Sequence, residues 1–186
     1  NIILMIGDGM GVSQLYAGMT VSKEPLVIEQ FKHVGLQKTY SADNYITDSG
    51  ASGTAMATGK KTNNQSIGVG PDGEKLTSIL ELAEMNGLAS GLVSTSSILH
   101  ATPASFIAHN KSRHKYEELA MDFLKTDIDV FIGGGRKDFI ERKDGKNLLD
   151  SLKMRNYIVS SDIEEINTIQ DGKLAGMIRQ GRPHAL

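Results

Sequence analysis

The octet Asp48-Ser49-Gly50-Ala51-Ser52-Gly53-Thr54-Ala55 sets an acid beside a hydroxyl at the head of a run of small residues. A run of this kind reads as the start of a helix that packs closely against its neighbours. A serine there sits among unpaired N–H groups and partial positive charge, which favour an attached anion. The same octet also fits a plain N-cap serine on an Ala/Gly helix, so alone it does not choose between the two. A serine hydroxyl is a weak nucleophile at neutral pH, and no histidine stands near Ser49 in sequence. A metal ion that stabilises the alkoxide is one activator that chemistry offers.

Asp8 lies in Gly7-Asp8-Gly9-Met10-Gly11. A carboxylate framed by glycines can bind a hard cation or bridge two metals. It can equally hold a turn through its own side-chain hydrogen bonds. Arg113 lies in Ala108-His109-Asn110-Lys111-Ser112-Arg113-His114. A guanidinium matches two phosphate oxygens, and Asp48 could hold it by the same fork geometry. By itself Arg113 also reads as a solvated surface charge. The histidines are His33, His100, His109, His114 and His184, and none has the paired spacing of a helical zinc site. Gly133-Gly134-Gly135 lacks the Lys-Ser/Thr of a phosphate loop and reads as a flexible connection.

These residues need a scaffold that brings them together. Ile2 to Ile6 is a continuous apolar run, as in a strand buried on both faces of a parallel sheet. Val34 to Thr39, Leu88 to Thr95, Asp129 to Ile132, Tyr157 to Val159 and Lys173 to Ile178 read as further strands. Helices are expected over Val12 to Met19, Leu26 to Phe31, Ser49 to Thr58, Ser78 to Asn86, Tyr116 to Lys125 and Leu148 to Arg155. Gly59 is placed to end the third of these, Thr77 to cap the fourth, and Pro103 to start a helix carrying Phe106, Ile107 and Ala108. Ser161-Asp162-Ile163-Glu164 fits a capping box. Strand and helix alternate, so the fold class is α/β. The expected architecture is a doubly wound, mostly parallel sheet with helices on both faces, in which Asp8, Ser49 and His100-Ala101-Thr102 gather near strand ends.

The 186 residues suffice for one α/β domain with a core. Hydrophobic residues make up 39% and charged residues 23%, an ordinary globular composition. A formal net charge of -2 gives no reason to expect nucleic acid, which usually calls for a basic face. Absence of cysteine excludes disulfides and thiolate metal sites. No apolar run is long enough to span a membrane, and no signal peptide precedes the first apolar run. The tail Arg182-Pro183-His184-Ala185-Leu186 shows no structural conclusion of its own.

Taken together, the segments resemble the alkaline phosphatase family. Ile2 to Gly11 is similar to its opening strand and metal loop. Thr47 to Ala55, continued by Thr58-Gly59-Lys60-Lys61-Thr62, resembles its nucleophile motif. Val93-Ser94-Thr95 through His100-Ala101-Thr102-Pro103-Ala104, then Ala108-His109 and Ser112-Arg113, resembles the next block in the same order. The resemblance covers roughly residues 1 to 135 and thins afterwards.

It implies a phosphate monoester hydrolase in which Ser49 attacks phosphorus and carries a phosphoserine intermediate. Arg113 would clamp the phosphate oxygens and Asp48 would orient Arg113. Asp8 would bridge one of two zinc ions and a magnesium, and Thr102 would give its hydroxyl to the magnesium. His100 stands where the bacterial prototype has an aspartate, which makes the third metal site a weaker partner for hydrated magnesium. The family's remaining zinc ligands and a magnesium-binding Glu belong to a second half not contained here. The 186 residues thus read as the N-terminal part of a larger catalytic domain, incomplete and inactive or nearly so alone. Small phosphate monoesters are the implied substrates, a homodimer the implied assembly, and the periplasm or the cell exterior the implied location. The rival readings are a related phosphodiesterase or sulfatase-type hydrolase, and a non-catalytic phosphate-binding fragment with Ser49 as a helix cap.

Overall fold

The computed structural model describes residues 1–179; the tail with His184 lies outside the described residues. Two compact units are present, Asn1–Thr39 and the chain from Tyr40 on.

The first unit contains helix α1 (Val12–Val21) and a single 3-10 turn, Val27–Gln30. Gln14 Oε1 accepts from the Gly11 N–H at 3.1 Å, and Glu29 Oε1 accepts from the Leu26 N–H at 2.7 Å. Both expected strands of this region are absent. Ile2 to Ile6 and Val34 to Thr39 are coil, with Ile2 91%, Met5 88% and Leu36 95% exposed. A strand exists through its ladder, and neither segment has one among the described residues.

The second unit carries α2 (Ser49–Thr58), α3 (Ile79–Met85), β1 (Gly91–Ser97), α4 (Ala101–Ala104), α5 (Tyr116–Asp122) and β2 (Val130–Gly134). It continues with α6 (Lys137–Ile140), α7 (Leu148–Met154), β3 (Tyr157–Ser160), α8 (Ile163–Thr168) and β4 (Lys173–Arg179). The sheet runs β1-β2-β4-β3 with every pair parallel, as the alternation of strand and helix implies. Its core is aromatic. Phe123, Phe131 and Phe139 are fully buried, and the Phe123 and Phe131 rings meet edge to face at 4.9 Å. Tyr157 closes the cluster and donates its hydroxyl to the Ile128 carbonyl. Burial pushes its phenol up to about 12.

Local chemistry shifts several boundaries. Ser78, not Thr77, caps α3: its Oγ accepts from the Glu81 N–H at 3.1 Å while Glu81 Oε2 accepts from the Ser78 N–H at 2.9 Å. Asp162, not Ser161, caps α8 through the Glu164 N–H at 2.9 Å. Gly133 and Gly134 belong to β2 rather than to a flexible connection, because their backbones pair with β4. The helix at Pro103 ends at Ala104, and Phe106 to Ala108 follow in turns whose side chains are buried. α6 lies in a charged stretch without helical periodicity in its sequence.

Candidate active site

Helix α2 is built for close approach. A Cβ on Gly50 would stand 2.8 Å from the Ser66 carbonyl oxygen, and one on Gly53 would stand 2.8 Å from Ser105 Oγ. The small residues therefore let α2 lie against the loop before Ile67 on one side and against α4 on another. Ser105 Oγ donates to the Ala101 carbonyl at 2.7 Å and lies 3.3 Å from the Gly50 carbonyl, which ties α4 to the first turn of α2.

Asp48 is the N-cap of this ten-residue helix. Its Oδ1 accepts from the Ala51 N–H at 2.9 Å. Its Oδ2 accepts from the Gln65 N–H at 3.0 Å and from Arg113 Nη1 at 2.9 Å. Its own N–H donates to Asn64 Oδ1 at 3.0 Å. Burial raises the carboxyl, but the Ala51 and Gln65 amides and the Arg113 guanidinium outweigh it and hold Asp48 below the ordinary carboxylate value. Asp48 does hold Arg113, though by one bond rather than by a fork, because its other oxygen is committed to the helix. Among the described residues Nη1 carries the guanidinium's ion pair, and a guanidinium has further N–H donors of the kind that suit an anion.

The cap being Asp48, Ser49 is the first residue inside the helix and is not its cap. This half-buried residue stands on the turn where the helix dipole favours negative charge. Four residues on, Gly53 shares that face, and a Cβ there would lie 3.4 Å from the Thr102 Cα. Thr102 therefore belongs to the helix packed against the Ser49 face. His100 is the N-cap residue of α4, just beyond the end of β1, and its ring lies 6.5 Å from that of Tyr116.

Asp8 is in the first unit, exposed in a turn closed by Met10 N–H on the Gly7 carbonyl at 3.1 Å. Among the described residues no three His, Cys, Asp or Glu side chains converge as a metal-binding group. A zinc site asks for three or four protein ligands.

The segment that delivers Arg113 is clamped along the loop after α2. Ile67 and Asn110 exchange both backbone bonds at 2.8 Å, and the Arg113 N–H donates to the Gln65 carbonyl at 2.7 Å. A second acid–base group anchors it further. His109 donates its backbone N–H to Asp122 Oδ2 at 2.8 Å, and its Nε2 lies 2.9 Å from the Leu76 carbonyl and 3.4 Å from Glu81 Oε2. Both Nε2 neighbours are acceptors, so Nε2 carries the proton. Burial holds the imidazole below its ordinary value despite Glu81, which leaves it neutral at pH 7. Glu81 is pushed up by burial but held lower overall by the Ser78 amide and Lys75.

Neither Asn64, Gln65 nor Glu81 stands out in the sequence. Glu81 alone left a trace, as the third residue after Ser78 in a capping-box pattern.

The family profile described as Alkaline phosphatase matches residues 1–181. Alkaline phosphatase 3 of Bacillus subtilis is 40% identical over 97% of this chain and 42% of its own length. The Escherichia coli alkaline phosphatase is 34% identical over 97% of this chain and 46% of its own. Among solved structures, the alkaline phosphatase of the Antarctic bacterium TAB5 superposes with a TM-score of 0.90 at 38% identity, covering 94% of this chain and 52% of that one. A histidine-to-aspartate mutant of the TAB5 enzyme, with Mg bound in its M3 site, superposes with a TM-score of 0.88. The chain thus spans about half the length of the relatives it matches.

Proposed function

The chain belongs to the alkaline phosphatase family, and from that premise we propose that the whole protein hydrolyses phosphate monoesters with Ser49 as nucleophile. The observation that supports this most is the meeting of three groups at one helix start. Ser49 offers a hydroxyl on the first turn of α2, and Arg113 offers a guanidinium that Asp48, the cap of the same helix, holds beside it.

The deprotonated Ser49 Oγ forms a bond to phosphorus as the bond from phosphorus to the leaving alkoxide breaks, and that oxygen takes up a proton. Water then attacks the phosphoserine, the bond from Ser49 to phosphorus breaks, and inorganic phosphate departs. Charge gathers on the equatorial oxygens during both transfers, and Arg113 with the α2 amides faces it. Asp48, ionised at neutral pH, keeps the guanidinium from swinging into solvent.

Two zinc ions and a magnesium belong to the proposal for the whole protein. Asp8, Ser49, Thr102 and His100 would be this chain's donors, with other ligands from the part of the family's length that it does not span. The TAB5 mutant gained an aspartate in place of a histidine and has Mg bound in its M3 site. Taking His100 as the counterpart, the third site here would hold magnesium weakly. Residues 1–186 alone would be inactive or nearly so, and the whole protein would be an exported homodimer.

The test is covalent. The complete protein, incubated with a labelled phosphate monoester and quenched in acid, is expected to carry label on Ser49. Ser49→Ala, which spares the Asp48 cap, is expected to lose label and turnover while keeping its melting temperature. Label elsewhere, or turnover that favours a diester or a sulfate ester, would overturn the reading.

A further inference from the structure

Gln65 is one of two non-glycine residues among the described ones with positive φ, at 71°. The other is Asn156, a residue type whose short amide tolerates left-handed backbone. Glutamine has no such excuse, and its side chain is exposed, so packing of that side chain does not hold it there. The backbone around it does. Its N–H donates to Asp48 Oδ2, the same oxygen that receives Arg113 Nη1. Its carbonyl accepts the backbone N–H of Arg113 at 2.7 Å. On one side Asn64 receives the Asp48 N–H at 3.0 Å and donates to the Ile46 carbonyl at 2.9 Å. On the other, the Ser66 carbonyl lies against Gly50 on α2.

The peptide unit before the Gln65 Cα thus touches the Asp48 carboxylate, and the one after it touches the Arg113 backbone. An extended φ would turn the N–H and the carbonyl to different directions and could not serve both. Strained backbone persists where surrounding bonds over-determine it, and such places cluster at functional sites.

We infer that Gln65 is a positioning residue, whose left-handed backbone sets how far Arg113 reaches over the Ser49 helix start. This rests on the proposed phosphate chemistry for its purpose but not for its geometry. The side chain is dispensable and the backbone conformation is not. Residues that accept positive φ should preserve the function, and a β-branched residue should damage it.

The experiment uses the complete protein with Gln65→Asn, Gln65→Gly and Gln65→Val, each alone and with Arg113→Ala. Binding of inorganic phosphate is measured by calorimetry, and restricted rotation of the Arg113 guanidinium by nitrogen-15 NMR. Gln65→Asn and Gln65→Gly are expected to stay within about twofold of the parent in phosphate affinity and to keep the restricted guanidinium. Gln65→Val is expected to weaken phosphate about tenfold and free the guanidinium, with no further loss once Arg113 is alanine. Equal losses with and without Arg113, or a guanidinium that stays restricted in Gln65→Val, would overturn the assignment. Should the parent not bind phosphate at all, the phosphatase reading fails while the guanidinium signal still decides whether Gln65 positions Arg113.

Discussion

Two acid–base pairs share one layout and end in opposite electrical states. Asp48 caps α2 and meets Arg113; Glu81 stands in the first turn of α3 and meets His109. Both bases come from one short segment, and both acids also accept a backbone N–H at a helix start. The difference lies in the base and in the burial. The Asp48 side chain is 24% exposed and that of Glu81 7%. Arginine keeps its charge at any physiological pH, so the first pair presents a lasting cation edge near solvent. Histidine gives up its proton when buried, so the second group becomes a neutral hydrogen-bonded lock in which Lys75 balances Glu81. The first pair suits work on an anion. The second holds the segment that delivers it.

The strongest way to break the contrast is to remove Arg113. In the complete protein, Arg113→Ala is expected to lower kcat/KM on a phosphate monoester by about 10²–10³-fold while the melting temperature barely moves. Asp48→Asn should cost about tenfold, since the guanidinium is present but unanchored; steady-state kinetics on both variants checks the ranking.

The second pair should respond in stability instead. Glu81→Ala strips the Ser78 amide, Lys75 and His109 of their shared acceptor, and is expected to cost about 3 kcal/mol in urea unfolding. Its kcat/KM below the unfolding transition should stay within a few-fold of the parent. A large kinetic loss with little destabilisation would erase the distinction between the two pairs.

Acid titration sharpens it further. His109 titrates in the unfolded chain near 6.5 and in the folded chain below that, so between the two the unfolded state binds more protons. Stability is therefore full above 6.5 and declines as pH falls from there. Asp48 and Glu81, ordinarily at 3.8 and 4.5 and held lower when folded, add a second decline as pH falls below those values. His109→Gln, which can still donate to the Leu76 carbonyl, is expected to remove the first decline and leave the second, measured as melting temperature against pH.

The helix start at Asp48-Ser49 was legible in the sequence. Small residues behind Asp48-Ser49 signalled a closely packed helix because helix propensity, the N-cap and the missing side-chain volume all act within one or two turns. β2 and β4 were legible for the same reason, as apolar runs of strand length. Ile2 to Ile6 looked equally good as a strand, yet it is exposed coil in the unit to which it belongs, because apolar composition cannot supply a partner for the ladder. Gln65 gave no signal, since its φ is imposed by hydrogen bonds to groups elsewhere in the chain.

By itself the sequence determined which groups are available: a carboxylate and a hydroxyl at a helix start, a guanidinium downstream, and an order of segments shared with one family. Only the tertiary structure decided that Asp48 and Arg113, 65 residues apart, share a hydrogen bond and that His109 lies buried among acceptors. Pairing over that distance depends on every intervening element folding back to one place. Protonation depends on how much water is excluded there, and neither is a property of neighbouring residues.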